Sequence, residues 1–264
     1  MPNTPHLRVE RPSDGVVLLT LDNPDQRNAM SDEMTASWAA TVEDLAGDRS
    51  VRAVVVTGAG SAFCSGGNTS WIASEPDATV DQLRTRMIAF YRAWLSIRRL
   101  EVPTIAAVNG PAIGAGLCVA LACDIRYAGA RAKLGAPFVK LGMHPGMAAT
   151  YLLPNVVGDA AARDLLLTGR VVDAEESLRL GMVSRVLPDD TLLAETLEVA
   201  AGIAASAPIP SRYTTLALRG GGHADFETAL QWEALAQPIT LATADLQEGI
   251  RAAQEKRPPR FTGA

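Results

Sequence analysis

Val108 to Asp124, VNGPAIGAGLCVALACD, puts a tight turn and three small residues directly in front of an apolar helix. Gly114, Ala115 and Gly116 carry no side chain long enough to cover the backbone. The first turn of a helix has N–H groups with no intrahelical partner, at the positive end of the helix dipole. The segment therefore presents bare donors to a negative atom. A second small-residue turn, AFCSGGN from Ala62 to Asn68, follows the strand-like run Val51 to Thr57. Two such junctions that each give one N–H to the same oxygen form an oxyanion hole.

Working outward, Val16 to Leu21 reads as a buried strand ended by the turn Asp22-Asn23-Pro24-Asp25. Ser31 then caps a helix with Met34, Trp38, Val42 and Leu45 on one face. Arg52 to Thr57, Thr104 to Val108 and Asp124 to Ala128 read as further strands. Asp81 to Arg99 carries Leu83, Met87, Phe90, Tyr91, Trp94 and Leu95 at helical spacing, and Val102-Pro103 ends the pattern. Strand, turn and helix alternate in this way through the first two thirds of the chain, which predicts an α/β fold with a parallel sheet.

From Pro188 onward the pattern turns helical, with helices expected over Thr191 to Ala205, Pro210 to Arg219, Asp225 to Ala242 and Asp245 to Lys256. This divides the chain into a catalytic core, 1–190, and a helical region, 191–264. Leu230, Trp232, Leu235, Ile239, Leu241 and Leu246 are more apolar surface than a lone helical appendage leaves in water, so an oligomer is expected.

The chain has 264 residues, enough for one substantial core, and its net charge of −5 argues against nucleic acid or an anionic membrane as the main partner. Cys64, Cys118 and Cys123 are odd in number and sit among apolar residues, which fits reduced thiols and a cytoplasmic protein. The first residues hold prolines and no apolar stretch of the signal-peptide kind, and runs such as Ile113 to Ala122 are too short to span a bilayer. No metal is expected, because His6, His144 and His223 are scattered and Cys118 with Cys123 lacks a second ligand pair. VVVTGAG from Val54 to Gly60 runs into Ser61-Ala62-Phe63 without opening a helix, which argues against a dinucleotide loop. No Gly-x-Ser-x-Gly elbow is present.

NPDQRNAM, RAVVVTGAGSAFCSGGN, VPTIAAVNGPAIGAGLCVALACDIRYAGARAKLG, LGMHPG, LTGRVVDAEESLRLGMVSRVLP and EGIRAAQEKRPPRF resemble, in order and spacing, the crotonase (enoyl-CoA hydratase/isomerase) superfamily. The resemblance covers essentially the whole chain. It implies a crotonase-like spiral of ββα units around an acyl-CoA thioester, with a C-terminal helical trimerisation region and trimers that often pair into hexamers. It further implies oxyanion donors at the backbone N–H groups of Ser65 and Ala115. The turn Ser65, Gly66, Gly67 and Asn68, together with Gly114, Phe138 and Gly146, would line the ligand. Arg27 would meet the phosphates of coenzyme A, and the Ala29 backbone would run along its pantetheine arm. Coenzyme A belongs to the substrate, and no separate cofactor is expected.

The departures from the family pattern bear on the reaction. A hydratase of this family uses two glutamates, and the residue-by-residue match puts them at Cys118 and Phe138, so classical hydration is not expected. His144, two residues before Gly146, is the leading acid/base candidate, with a wall histidine as the competing reading. A buried inert thiol is expected at Cys118, and a structural role for Asp124. The resulting expectation is an enzyme that stabilises a thioester enolate or oxyanion, with isomerisation, C–C cleavage and hydrolysis open. The alternatives are a thioester-binding protein without turnover and a structural subunit. The segment Thr69 to Gln82, which the resemblance matches poorly, would shape the acyl pocket.

Overall fold

In the computed structural model, residues 6–67, 77–221 and 225–264 are described. Six strands form the central sheet: β1 (Leu7–Ser13), β2 (Val16–Leu21), β3 (Ala53–Gly58), β4 (Thr104–Val108), β6 (Ile125–Gly129) and β9 (Arg185–Leu187), in that spatial order. A smaller sheet joins β5 (Ala112–Ile113), β7 (Lys133–Gly135) and β8 (Val171–Asp173). The helices are α1 (Asp32–Gly47), α2 (Val80–Trp94), α3 (Ala115–Ala122), α4 (Ala149–Thr168), α5 (Ala174–Arg179), α6 (Leu192–Ala204), α7 (Pro208–Leu216), α8 (Phe226–Leu241) and α9 (Ala244–Glu255).

In the central sheet the pairs β2–β3, β3–β4, β4–β6 and β6–β9 are parallel, and β1 runs antiparallel to β2. Sequence alternation does not reveal β1, because Arg8, Glu10, Arg11 and Pro12 break any apolar period. It is an edge strand, partnered only by β2, and such strands tolerate charge and proline.

The central strands are buried on both faces, which is why they read as unbroken apolar runs. Val17, Leu19 and Leu21 of β2 enter one core with Met34, Trp38, Val42 and Leu45 of α1. Val16 and Leu18 point the other way, onto Leu192, Ala200 and Ala204 of α6. The packing therefore includes α6 in the sheet's own core, past the division expected at residue 190. By contrast, α8 has no buried residue: Leu230, Leu235, Ile239 and Leu241 are exposed, and Trp232 is half-buried.

Two anchors orient the elements around the cavity described below. Trp94 at the end of α2 stacks on Trp38 of α1 with ring centroids 5.0 Å apart. Trp38 Nε1 donates to Trp94 O at 3.1 Å, and Trp94 Nε1 donates to Thr35 Oγ1 at 3.0 Å. Tyr91 precedes Trp94 by one helical turn and so projects from the same side of α2. At the other end of the sheet, Asp124 Oδ2 accepts from Thr104 N at 2.7 Å and from Arg219 Nη2 at 2.5 Å, tying the strands to the segment after α7. Among the described residues, no single helix is long and apolar enough to cross a membrane.

Candidate active site

The two small-residue turns interlock through backbone. Ile113 N–H donates to Cys64 O at 3.0 Å, while Phe63 and Cys64 N–H both reach Pro111 O at 3.1 Å. Only glycine allows this closeness at position 116, where a Cβ would lie 2.1 Å from Cys64 O. Gly66 sits at φ +97°, in the left-handed region, and its own Cβ would come within 2.7 Å of Ile113 O. Buried Asn28 holds the first turn from behind: its Nδ2 donates to Ala59 O at 2.9 Å and Ala62 O at 2.8 Å, and its Oδ1 accepts from Asn23 N at 2.9 Å. Asn109 adds a third tie, accepting from Gly58 N at 3.1 Å and donating to Gly60 O at 3.1 Å.

Between the turns lies a cavity of about 140 Å³. Ser65, Gly66, Gly67, Gly114 and Ala115 form one wall, and Phe138, His144 and Gly146 come from the loops after β7. Helix α2 supplies Met87, Phe90 and Tyr91. Eight of the residues singled out in the sequence thus meet at one place. Arg27 and Ala29 do not line the cavity; Arg27 is exposed, in a left-handed turn at φ 50°, and is joined to the site through its carbonyl. Asn68 lies outside the described residues.

The structure corrects one donor. Ser65 N–H is spent on Arg27 O at 3.0 Å, and its Oγ donates to Gln26 O at 3.3 Å, so the backbone donor expected at Ser65 points into the chain. The N–H groups of Gly67 and Ala115 have no hydrogen-bond partner among the described residues. Ala115 opens α3, and the preceding Gly114 N–H is fixed on Gly135 O at 2.8 Å. Sequence spacing finds the turn but not its register, because the decisive bond joins residues far apart in the chain.

The facing wall is chemically sparse. Cys118 is buried behind the cavity, its Sγ 3.7 Å from Gly146 O, and burial first, then the neighbouring Cys64, pushes its thiol up to about 12. It is a neutral packed thiol. Phe138 is half-buried, with its ring 3.7 Å from where a Cβ on Gly114 would stand, and so covers the oxyanion turn with carbon. His144 is exposed, and its Nδ1 lies 2.8 Å from Pro145 O. A carbonyl only accepts, so Nδ1 carries the proton and Nε2 is the basic nitrogen of the neutral ring. Tyr91 was read in the sequence as one apolar position on a helix face; its hydroxyl reaches the cavity, and burial raises its pKa above the ordinary phenol value. Among the described lining residues there is no carboxylate.

A larger cavity of about 910 Å³ lies elsewhere, between the sheet and the C-terminal helices. Its charged groups are already engaged: Arg219 pairs with Asp124 at 2.5 Å, and Arg126 Nη1 donates to Cys123 O at 2.6 Å. It contains none of the small-residue turns, so size alone does not mark the reactive site.

Backbone donors at a helix start, set in an apolar cavity on an α/β scaffold, are chemically suited to a negative atom. Comparison with known proteins gives this a family. The enoyl-CoA hydratase/isomerase family pattern matches residues 11–264. A Mycobacterium tuberculosis protein described as "Probable enoyl-CoA hydratase EchA14" is 43% identical over 215 residues, 80% of this chain and 82% of that one. The crystal structure of an enoyl-CoA hydratase from Bacillus anthracis superposes with a TM-score of 0.92 at 32% identity, covering 98% of this chain and 100% of that one. An enoyl-CoA hydratase/isomerase from Cupriavidus metallidurans gives 0.92 at 30% identity over 100% and 98%. The chain belongs to the enoyl-CoA hydratase/isomerase family and has the crotonase fold.

Proposed function

We propose that the protein binds an acyl-CoA thioester with its carbonyl oxygen between the N–H groups of Gly67 and Ala115, and stabilises the enolate or oxyanion that forms there. The observation that carries this reading is the pair of N–H groups on interlocked turns that line the cavity and have no partner among the described residues, which place no carboxylate in its lining. Each such donor contributes roughly 2.7 to 4 kcal/mol to the stabilisation of a developing oxyanion. Exposed Arg27, outside the cavity lining, would meet the phosphates of coenzyme A in this reading. No further cofactor enters the reading.

Hydration is disfavoured. A thiol held neutral at Cys118 and a phenyl ring at Phe138 neither orient water nor relay its proton. With crotonyl-CoA as substrate, loss of the enone absorbance is expected to be at least about 10² to 10⁴ slower than in an ordinary hydratase. A hydratase-like rate would overturn the reading.

The exposed leucines of α8 favour assembly of several copies, as a homotrimer or a hexamer. Light scattering at micromolar concentration is expected to give such a mass. A monomer mass would refute it.

A further inference from the structure

Among the described residues, two titratable side chains line the cavity, Tyr91 and His144, and they sit in opposite circumstances. His144 is exposed, with one ring nitrogen already engaged by its neighbour's carbonyl. Tyr91 is half-buried and lies one turn before Trp94 of α2, which the stack on Trp38 holds in place. A Cβ on Gly146 would lie 2.5 Å from the Tyr91 hydroxyl oxygen, so the hydroxyl fills the space directly over that glycine, and Cys118 Sγ approaches the same residue from behind. The hydroxyl has no hydrogen-bond partner among the described residues. It is a polar group aimed into an apolar cavity shared with two free N–H donors.

Resting on the acyl-CoA reading above, we propose that the Tyr91 hydroxyl passes the proton to and from the α-carbon of the bound thioester, so that the site serves enolate protonation instead of water addition. When an enolate is protonated, the Tyr91 O–H bond breaks and a C–H bond forms at the α-carbon. The enolate electron pair that had resided on the oxygen held by Gly67 and Ala115 re-forms the carbonyl, and a phenolate remains. In reverse, the phenolate takes the α-proton and the electron pair returns to the oxygen. Solvent returns a proton to the phenolate after enolate protonation and, for the reverse step, hydroxide takes the phenolic proton as water to form the phenolate that acts as base. Burial disfavours the phenolate, with the Cys118 thiol beneath it acting in the same direction, so the resting side chain is a neutral proton donor. The reaction classes that fit are a double-bond shift or a C–C cleavage, both of which end with a proton on carbon.

The test uses the full chain and butyryl-CoA in D₂O, with deuterium at the α-carbon read by mass spectrometry and binding read by calorimetry. Tyr91→Phe keeps the ring and removes the hydroxyl. It is expected to bind butyryl-CoA as the wild type does and to lose exchange by about 10² to 10⁴, the usual contribution of a positioned acid/base group. His144→Ala is expected to lose less than about tenfold, since an exposed side chain at the rim is replaceable by solvent. Exchange at the wild-type rate in Tyr91→Phe, or a loss confined to His144→Ala, would overturn the proposal. So would a wild type that binds butyryl-CoA without exchanging it, whereas a wild type that does not bind it at all sinks the acyl-CoA reading itself. If Tyr91→Phe does not fold, 3-fluorotyrosine at position 91 serves instead. Its more acidic phenol shifts the alkaline limb of the exchange rate to lower pH if Tyr91 carries the proton, and an unmoved limb rejects the assignment.

Discussion

The oxyanion wall of the cavity is backbone and the facing wall is side chain, and the two are specified differently. Gly67 and Ala115 present N–H groups whose placement depends on Asn28, Asn109, the Ile113–Cys64 bond and the absence of a Cβ at Gly116. Tyr91, Phe138 and His144 come from separate elements, each held by its own local contacts. A change on the first wall moves several tethers together. A change on the second alters one functional group and leaves the scaffold in place.

The sharpest attempt to break this contrast is Gly116→Val. Its Cβ meets Cys64 O, a backbone atom with no rotamer to escape into, so the two turns must separate. A loss of more than about 4 kcal/mol of stability is expected, in the range reserved for severe core disruption. Urea denaturation with an unshifted midpoint would show that the turns are not interlocked.

Ala115→Pro isolates the donor from the packing. The first residue of a helix tolerates proline, whose ring removes only the N–H. Deuterium exchange into butyryl-CoA should fall by about 10² to 10³, with little change in melting temperature. Retained exchange would remove Ala115 from the oxyanion hole.

Cys118→Ala should have the smallest effect. The thiol is neutral, buried and outside the cavity lining, so its loss removes one packed atom at a cost of about 1 kcal/mol. Activity is expected to remain at the wild-type level, and a marked drop would show that the facing wall reaches deeper than its lining residues.

The sequence displays the backbone wall more openly than the facing one. Small residues before an apolar run have few readings, and the helix expected after the turn in VNGPAIGAGLCVALACD is found as α3; the short strand β5 inside that turn is not legible in the sequence. The central strands are legible for a related reason: burial on both faces leaves β2 and β3 apolar except for one threonine each, Thr20 and Thr57. The error at Ser65 is one of register, since only the folded chain shows that Arg27 O claims its N–H. Tyr91 stayed hidden because helical spacing identifies an inward face but not what lies beneath it. Its hydroxyl meets Gly146 only through the docking of α2 on α1. Periodicity alone gives α6 the same helical signature as the helices after it, because it says nothing about which sheet face an apolar stripe covers.

The three cysteines carry a consequence for how the protein withstands oxidants. Burial pushes the thiols of Cys64, Cys118 and Cys123 up to about 12, so near neutral pH they stay protonated and the reactive thiolate is scarce. Peroxide and alkylating reagents attack the thiolate, and they reach it only through opening of the core. Oxidative inactivation should therefore track unfolding, with the native fold acting as the reductant-free safeguard of its own sulfur.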